Sequence, residues 1–323
     1  MMSSAGLFLG VFLVGVALQG YWVGFLKKRK VIQNLKLYGP QKHLRDKKNI
    51  PTIGGAVFLL MALLSGMTLV FLGRWSCPEA LLFLGFPLTG GAIGLTDDLI
   101  KYSRGSSEGF RSLQKLALQV ISAVAWSFFF MPGGVLTLAP GLALEGVPGA
   151  LILLFFLVGT LNAANITDGL DGLLPGVAVI SFAALLFFTR EGDPSRFAAL
   201  LGLGLSAGFL IFNFHPARVF MGDCGSHFLG GLLVSICAAK GMLLLILPLG
   251  FIMGVEVISV IIQIIAIRGF GRRVFSMSPV HHHFEMAGWG ERTIVFSFWF
   301  FHLVGMLLLL ILYKYLPLWT GGR

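Results

Sequence analysis

The chain has 323 residues, of which 56% are hydrophobic and 12% are charged, and its formal net charge is +10. Soluble domains carry about 25% charged residues, so this composition excludes an ordinary soluble domain and predicts a membrane protein. The apolar runs are continuous rather than alternating, which disfavours a transmembrane β-barrel. We therefore expect one integral membrane domain over residues 1–323, embedded in a lipid bilayer and without a nucleic-acid partner. The cysteines Cys77, Cys224 and Cys237 show neither metal-binding nor disulfide spacing, so we expect free thiols.

Ten apolar runs approach the length of about 20 residues that an α-helix needs to cross a bilayer. The predicted fold class is therefore an all-α polytopic membrane protein with about ten transmembrane helices. Their approximate ranges are 5–25, 52–72, 80–96, 114–131, 149–161, 172–189, 196–212, 226–239, 242–267 and 294–313. The first run is too long for a signal-peptide core and lacks a small-residue cleavage site, so we expect it to form the first helix.

The basic residues predict the orientation, because Lys and Arg accumulate in cytoplasmic loops. With both termini outside, 18 of the 24 Lys and Arg residues lie on the inner side. The most basic inner segment contains Lys27, Lys28, Arg29, Lys30, Lys36, Lys42, Arg45, Lys47 and Lys48. The outer side would hold Arg74, Arg190, Arg196, Lys240, Lys314 and Arg323.

Two of the segments promise irregular structure. In the outer loop at residues 132–148, short apolar stretches on either side of Ala139-Pro140-Gly141 predict a small β-hairpin. The run at 242–267 is long and contains Gly250, Gly254 and Glu256, so we expect it to be kinked or to protrude into the cytoplasm. For Glu256 the sequence favours a structural role over direct substrate contact: it would pair with a polar group of a neighbouring helix or with an inner arginine and hold the kinked span.

Nearly all residues that could bind a metal or transfer a proton fall on the inner side. They are Asp97, Asp98, Lys101, Lys115, the segments 162–172 and 213–226, and His281 to His283. A transport pathway would place such groups midway through the spans. The asymmetry therefore favours an active site at the cytoplasmic face.

Asp97 and Asp98 end a span, and Lys101 follows one helical turn later. This pattern could be a solvated helix end with an ion pair. Alternatively, two adjacent carboxylates can raise each other's pKa and serve as a general base or lie beside a metal ion. The sequence leaves both interpretations open.

Asp223 lies between glycines in Phe220-Met-Gly-Asp-Cys-Gly-Ser226, at the start of a span. The glycines would let a bulky ligand approach closely, and the amides of a helix start suit a phosphate group. A purely structural role for Asp223, as the cap of that helix, is equally compatible with the pattern.

Three consecutive histidines, His281 to His283, follow Pro279 in a basic inner segment. They cannot all face one metal ion from a helix, so a zinc site is disfavoured. Contacts with phosphate, or proton transfer by one of them, fit the pattern better.

Magnesium takes oxygen ligands and substrate phosphates. Asp223, with an amide or carboxylate of the segment 162–172, could supply such ligands, and Lys47, Lys101 and Lys115 could contact phosphates. A nucleotide-phosphate donor that meets a lipid acceptor at the inner surface would explain both the apolar helices and the polar face.

Taken together, these motifs resemble the polyprenyl-phosphate N-acetylhexosamine-1-phosphate transferases, and among them the phospho-N-acetylmuramoyl-pentapeptide-transferases. The triple histidine followed by Phe-Glu favours the muramoyl branch. The matching segments are Pro51–Gly55, Thr96–Asp98, Asn162–Gly172, Pro216–Asp223, Glu256–Val260 and Pro279–Glu285.

The resemblance implies a bacterial plasma-membrane enzyme, a homodimer, that depends on Mg²⁺. Its donor would be UDP-N-acetylmuramoyl-pentapeptide, its acceptor undecaprenyl phosphate, and its products lipid I and UMP. It further implies that Asp97 and Asp98 are an essential pair, one of which deprotonates the lipid phosphate, and that Asp223, joined by Asn165, holds the metal. His281 belongs to the essential histidine segment, with His282 and His283 beside it. The implied substrate contacts are Lys47, Lys101, Lys115, Asn162, Asp168, Asp171, Asn213 and Phe220.

Two rival functions remain at this point. An N-acetylglucosamine-1-phosphate transferase of the same fold would release UMP from a different UDP-sugar. A transporter with the inner acids as a gate would move a substrate without forming UMP.

Overall fold

The computed structural model describes residues 4–32, 47 and 49–315. Of the basic residues that the topology prediction uses, Lys36, Lys42, Arg45, Lys48 and Arg323 lie outside this part. In chain order the described elements are α1 (Ser4–Lys28), α2 (Ala56–Phe71), α3 (Cys77–Arg104), α4 (Ser112–Phe130), β1 (Val135–Ala139), β2 (Leu142–Glu145), α5 (Gly146–Thr167), α6 (Leu173–Leu185), α7 (Pro194–Asn213), α8 (Gly222–Ala239), α9 (Ile246–Leu249), α10 (Phe251–Phe270), α11 (Val280–Met286) and α12 (Glu291–Tyr315).

Eight of the described helices are long and apolar enough to cross a membrane. Two shorter apolar helices, Ala56–Phe71 and Leu173–Phe188, lie where the sequence predicts further spans. The prediction of an all-α polytopic membrane protein is confirmed, whereas the count of ten spans and the side on which the termini lie stay predictions.

Helix α8 forms the centre of the bundle, because its residues from Cys224 to Ala238 are all buried inside the protein and face other helices rather than lipid. Helix α3 packs closely along it through glycines. A Cβ atom on Gly91 would lie 3.3 Å from the carbonyl oxygen of Cys224, and one on Gly94 would overlap the carbonyl of Asp223. Small residues allow such backbone contact between membrane helices. The packing brings the last turns of α3 onto the first turn of α8.

Both predicted irregularities are present. Strands β1 and β2 pair antiparallel, with Val135 opposite Glu145, which confirms the hairpin. The predicted kink is a break at Gly250 between α9 and α10. His302 of α12 supports the break, because its Nδ1 accepts from the main-chain N–H of Ile252 at 3.4 Å and its Nε2 lies 3.0 Å from Oγ of Ser181. Backbone freed by a helix break in a membrane needs such partners.

The end of the bundle opposite the last turns of α3 is closed by simple ion pairs. Arg196 contacts Glu191 at 3.0 Å, and Lys240 contacts Asp193 at 2.7 Å. Ser4 at the start of α1 also donates to Glu191 through its hydroxyl, at 2.5 Å. These contacts tie the start of α1 to the loop before α7.

Candidate active site

The connection between α5 and α6 is the point where three groups of polar side chains meet. Helix α5 continues to Thr167, so Asn162 and Asn165 lie on its last turns and not in the turn where the sequence placed them. The chain then reverses at Gly172, whose φ of +83° favours glycine. Asn213 fixes the reversal, because its Oδ1 accepts from the Gly172 amide at 2.9 Å while its Nδ2 donates to Val219 O at 2.9 Å. Its amide is thus committed to main-chain groups.

The first group contains Asp97, Asp98 and Asp223, each of which offers a carboxylate oxygen within 4.8 Å of the others. Asp97 and Asp98 come from the last turns of α3, and Asp223 comes from the first turn of α8. Residues 126 positions apart are brought together by the glycine-mediated packing of these two helices. The pairing of the predicted acids from both segments is therefore a property of the fold.

Two lysines and an amide neutralise this acidic group. Lys101 Nζ lies 2.7 Å from Asp97 Oδ2 and 2.8 Å from Asp223 Oδ2. Lys115 Nζ, from the first turn of α4, lies 2.6 Å from the same Asp223 oxygen. Asn165 Nδ2 donates to the other oxygen, Asp223 Oδ1, at 2.8 Å. Both oxygens of Asp223 are thus engaged, and positive charge is already stabilised between the carboxylates.

Asp98 anchors the start of α8. Its carboxylate accepts from the main-chain N–H groups of Asp223 at 3.2 Å and Cys224 at 3.0 Å. A Cβ on Gly222 would approach Asp98 Oδ2 to 2.5 Å, and one on Gly225 would overlap Met221. The interpretation that these glycines leave room for a ligand, and that the free amides face a phosphate, is therefore wrong: protein groups occupy both places. Nor is Asp223 a helix cap, since it lies inside the first turn.

The second group surrounds Lys47. Its Nζ lies 2.7 Å from Asp171 Oδ1 and 2.6 Å from Glu291 Oε1, and it stands 5.9 Å from the centre of the Phe220 ring. His215 Nδ1 lies 3.0 Å from Asp171 Oδ2. Predicted substrate contacts Lys47, Asp171 and Phe220 are thus brought together, with the ammonium held by carboxylates in this structure.

Electrostatics fix the protonation of this second group. Burial alone would lower the pKa of Lys47, but the negative charges of Asp171 and Glu291 raise it above its usual value. Burial tends to raise the pKa of Asp171, but the charge of Lys47 and hydrogen bonds from Lys47, Ala217 and His215 lower it. Lys47 and Asp171 are therefore both charged over the whole neutral range.

The pKa of Asp168 is shifted in the opposite direction from that of Asp171. Asp168 is half-buried between the first two groups. Removal from water and then the negative charges of Asp223, Asp98 and Asp171 raise its pKa well above the usual range. A cation bound among these carboxylates would reverse the second effect.

The third group is the histidine segment, which forms the short helix α11 and not an open loop. Its three side chains point to different surroundings. His281 is fully buried and lies against Gly169, where a Cβ would overlap its Nε2. His282 Nδ1 lies 2.6 Å from Glu285 Oε2, and His283 Nδ1 accepts from the Ser276 amide at 3.2 Å. Of the three, His281 is thus the one packed against the α5–α6 turn.

Asn162 belongs to a buried polar chain behind Asp223. Its Nδ2 donates to Gln119 Oε1 at 2.8 Å and to Val158 O at 2.9 Å. Gln119 Nε2 lies 3.0 Å from His227 Nε2, and His227 Nδ1 lies 2.6 Å from the carbonyl oxygen of Asp223. Because carbonyl oxygens only accept, His227 carries its proton on Nδ1. This series of hydrogen bonds connects α4, α5 and α8.

Sequence reasoning missed several of these residues. Glu291 and His215 complete the Lys47 group, and Gln119 and His227 form the chain behind Asp223. An acid just before the predicted span at 294–313 was a signal for Glu291, but helix-dipole stabilisation explains that position equally well. For Gln119, a glutamine in an apolar span was the available signal.

Comparisons with known proteins identify the family of the chain. The sequence pattern of glycosyl transferase family 4 matches residues 80–241, which contain the first group and the chain behind it. The phospho-N-acetylmuramoyl-pentapeptide-transferase of Anoxybacillus flavithermus is 39% identical over 319 residues, covering 96% of each chain. That of Oceanobacillus iheyensis is 38% identical over 305 residues, covering 92% of each chain.

A third relative, the phospho-N-acetylmuramoyl-pentapeptide-transferase of Bacillus subtilis, is 37% identical over 323 residues, with 95% of this chain and 96% of the relative covered. In each of these three comparisons the match covers at least 92% of this chain. The chain therefore belongs to the phospho-N-acetylmuramoyl-pentapeptide-transferases of glycosyl transferase family 4.

Proposed function

We propose that this chain transfers phospho-N-acetylmuramoyl-pentapeptide from its UDP donor to undecaprenyl phosphate, which yields lipid I and UMP. One observation carries the proposal: Asp97, Asp98 and Asp223 converge within 4.8 Å beside Lys101 and Lys115, at one end of a membrane bundle whose relatives bear that enzyme's name. A site that combines carboxylate and ammonium groups at one end of a membrane bundle suits an anionic water-soluble donor and a lipid acceptor.

The acidic group fits a magnesium ion. Its three carboxylates offer oxygen ligands, the type that Mg²⁺ takes, and the ammonium of Lys101 between Asp97 and Asp223 shows that positive charge is stabilised there. Asp223 would hold the ion, with Asn165 as the neighbouring amide. When bound, the ion would neutralise the donor's pyrophosphate and polarise its phosphoryl oxygens.

The chemical step needs positioning and charge neutralisation more than a covalent intermediate. An oxygen of the lipid phosphate attacks the β-phosphorus of the donor, and the bond from that phosphorus to the UMP oxygen breaks. Lys101 and Lys115 hold phosphate oxygens, and one of Asp97 and Asp98 takes the proton of the lipid phosphate.

The donor would lie beside the acidic group. Lys47, Asp171 and Phe220 lie together there, and Phe220 offers a ring on which uracil would stack. Asp168 belongs to the α5–α6 turn, and His281 borders the same turn. As part of the proposal, the site faces the cytoplasm of a bacterial cell, and the enzyme works as a homodimer in the plasma membrane.

A UMP-release assay tests the proposal. Purified protein, Mg²⁺ and undecaprenyl phosphate are incubated either with UDP-N-acetylmuramoyl-pentapeptide or with UDP-N-acetylglucosamine. We expect UMP from the muramoyl donor alone, and no UMP when EDTA removes the metal. Release from the N-acetylglucosamine donor alone would contradict the proposal, as would substrate flux into sealed vesicles without UMP.

A trapping experiment tests the direct route. Donor labelled in its β-phosphate is supplied without lipid acceptor, and the denatured protein is examined for bound label. We expect none. Phosphate bound covalently to Asp223 would contradict the direct attack.

A further inference from the structure

Helix α10 carries a buried stripe of polar side chains that contacts the histidine segment and the residues before it. Glu256, Ser259 and Gln263 lie three and four residues apart on one helix face, with 0%, 3% and 5% of their surface exposed. Gln263 Oε1 accepts from the amides of residues 274 and 275 at 3.0 and 2.9 Å, and its Nε2 donates to the carbonyl of residue 275. Ser259 Oγ accepts from the Val280 amide at 3.0 Å. Two members of the stripe thus fix the segment's backbone.

Glu256, the third member, contacts a side chain instead. Its Oε1 lies 3.0 Å from Nδ1 of His281, and both residues are fully buried. The two atoms are close but not aligned as a hydrogen bond, and within residues 4–32, 47 and 49–315 Glu256 Oε2 and His281 Nε2 have no hydrogen-bond partner. Buried polar atoms normally have partners, since leaving one unpaired costs about 1–3 kcal/mol. This pair is therefore incomplete until another group reaches it.

His281 presents its other nitrogen to the candidate site. The ring lies against Gly169 so closely that a Cβ there would overlap Nε2. Gly169 stands between Asp168 and Asp171, the acids of the α5–α6 turn. With Nδ1 turned to Glu256, Nε2 is the nitrogen that borders this turn.

We infer that Glu256 is a positioning residue for His281 in the proposed transfer reaction. The carboxylate keeps Nδ1 on its own side, so that Nε2, which is buried against Gly169 in this structure, points toward the α5–α6 turn. There it can exchange a hydrogen bond or a proton with a phosphate-bearing substrate that reaches this turn. A carboxylate that orients a histidine in this way sets both the ring position and the tautomer. The inference rests on the proposed function only in so far as His281 serves that reaction.

A purely structural role for Glu256 is the alternative. Ser259 and Gln263 already hold the backbone of the segment, so Glu256 is not needed for that purpose. A structural residue would act on activity through folding alone, and its substitution would have the same effect whether or not residue 281 is a histidine. This difference makes the two roles separable.

The first test is a double-mutant cycle in the UMP-release assay. We expect Glu256→Gln to lower kcat about 10- to 100-fold with the donor KM changed less than about twofold, the size of effect of a residue that orients a catalytic histidine. In a His281→Asn background the same change is expected to lower kcat by no more than about twofold. Ser259→Ala is the matched control, since it removes the hydrogen bonds of the Ser259 hydroxyl to the main chain of Val280 and Glu256 but keeps the side chains of Glu256 and His281. It is expected to keep the kcat within about threefold.

A kcat of Glu256→Gln within about threefold of the wild type would overturn the inference, and so would an equal loss in both backgrounds. The second test does not depend on the reaction. Thermal unfolding midpoints of Glu256→Gln, His281→Asn and the double variant are compared, because breaking one side of a buried pair costs more than removing both. We expect the double variant to unfold no lower than the less stable single variant.

Additive midpoints, with each change lowering the midpoint independently, would contradict the pairing. Should the wild type release no UMP from either UDP-sugar, the proposed function fails. The midpoint cycle still decides whether Glu256 holds His281.

Discussion

Asp223 is central to the acidic group, since its two oxygens contact Lys101, Lys115 and Asn165. Replacing the carboxylate by a neutral amide would remove the negative charge that holds the two ammonium groups. We predict that Asp223→Asn abolishes turnover, a loss larger than about 1000-fold, in the UMP-release assay.

The matched control is Asp193→Asn at the other end of the bundle. Asp193 also pairs with a lysine, Lys240, at 2.7 Å, but this ion pair lies at the end of the bundle opposite the three polar groups. We expect its kcat to stay within about twofold of the wild type, as a partly exposed ion pair contributes little. Retained turnover in Asp223→Asn would contradict the assigned role of Asp223.

Asp168 yields a prediction about pH. Its folded-state pKa is raised by burial and by Asp223 and Asp98, so folding favours its protonated form. The stability that this gives is fully present below the unfolded pKa of about 3.9 and is lost as pH rises toward the folded pKa. An asparagine has no such loss. We predict that, without metal or donor, the thermal midpoint of Asp168→Asn exceeds that of the wild type by an amount that grows from pH 5 to pH 8.

Asp193→Asn again serves as the control for that series. Burial tends to raise the pKa of Asp193, but hydrogen bonds from Lys240 and Ser195 lower it, so its contribution is lost only when pH falls below the usual carboxyl range. Its midpoint difference from the wild type should stay constant between pH 5 and pH 8. A constant difference for Asp168→Asn as well would show that Asp168 is ionised in the folded protein.

For single residues, the sequence identified the charged residues of the site better than it identified their contacts. Asp97, Asp98, Asp223 and the lysines were found because charged residues in so apolar a chain are costly and rare. The contacts of Lys47 with Asp171 and Glu291 bridge 124 and 244 positions, so no local pattern could show them. For Glu256 the sequence predicted a polar partner on a neighbouring helix, but it did not identify that partner as His281.

Between elements, the site depends on how closely α3 approaches α8. Gly94 of α3 lies against the main chain of Asp223, and a Cβ there would overlap its carbonyl group. Backbone atoms cannot give way as a flexible side chain can. We predict that Gly94→Ala displaces the start of α8, lowers the thermal midpoint and reduces kcat by at least about tenfold.

Gly159→Ala in α5 is the matched control, because a Cβ at that position meets nothing within 4 Å. We expect this variant to match the wild type in both midpoint and kcat, or to be slightly more stable, since alanine favours helix more than glycine does. Equal behaviour of the two variants would mean that the close packing does not position Asp223.

Element positions were largely predictable, because an apolar run in lipid must satisfy its backbone internally and therefore becomes a helix. Ends were less so. Helix α5 extends past its apolar part to Thr167, since polar residues at the bundle end find partners on α4 and α8. The glycines around Asp223 were misread because glycine signals close approach without saying whether a ligand or a helix approaches.

For the whole molecule, the topology places the three polar groups at one end of the bundle and the Glu191 and Asp193 ion pairs at the other. Which end faces the cytoplasm follows from the distribution of Lys and Arg, which predicts that the polar groups are inside. The free cysteines allow a direct test, because Cys77 is exposed at the start of α3, whereas Cys224 and Cys237 are buried.

We predict that a membrane-impermeant maleimide labels the wild-type protein in intact spheroplasts at Cys77, since that residue begins the helix whose other end carries Asp97. The Cys77→Ser variant should stay unlabelled, as its remaining thiols are buried. Adding Ser276→Cys to that variant places a thiol at an exposed position just before the histidine helix. We expect that thiol to react only after permeabilisation, and the reverse pattern would place the polar groups outside the cell, where no UDP-linked donor could reach them.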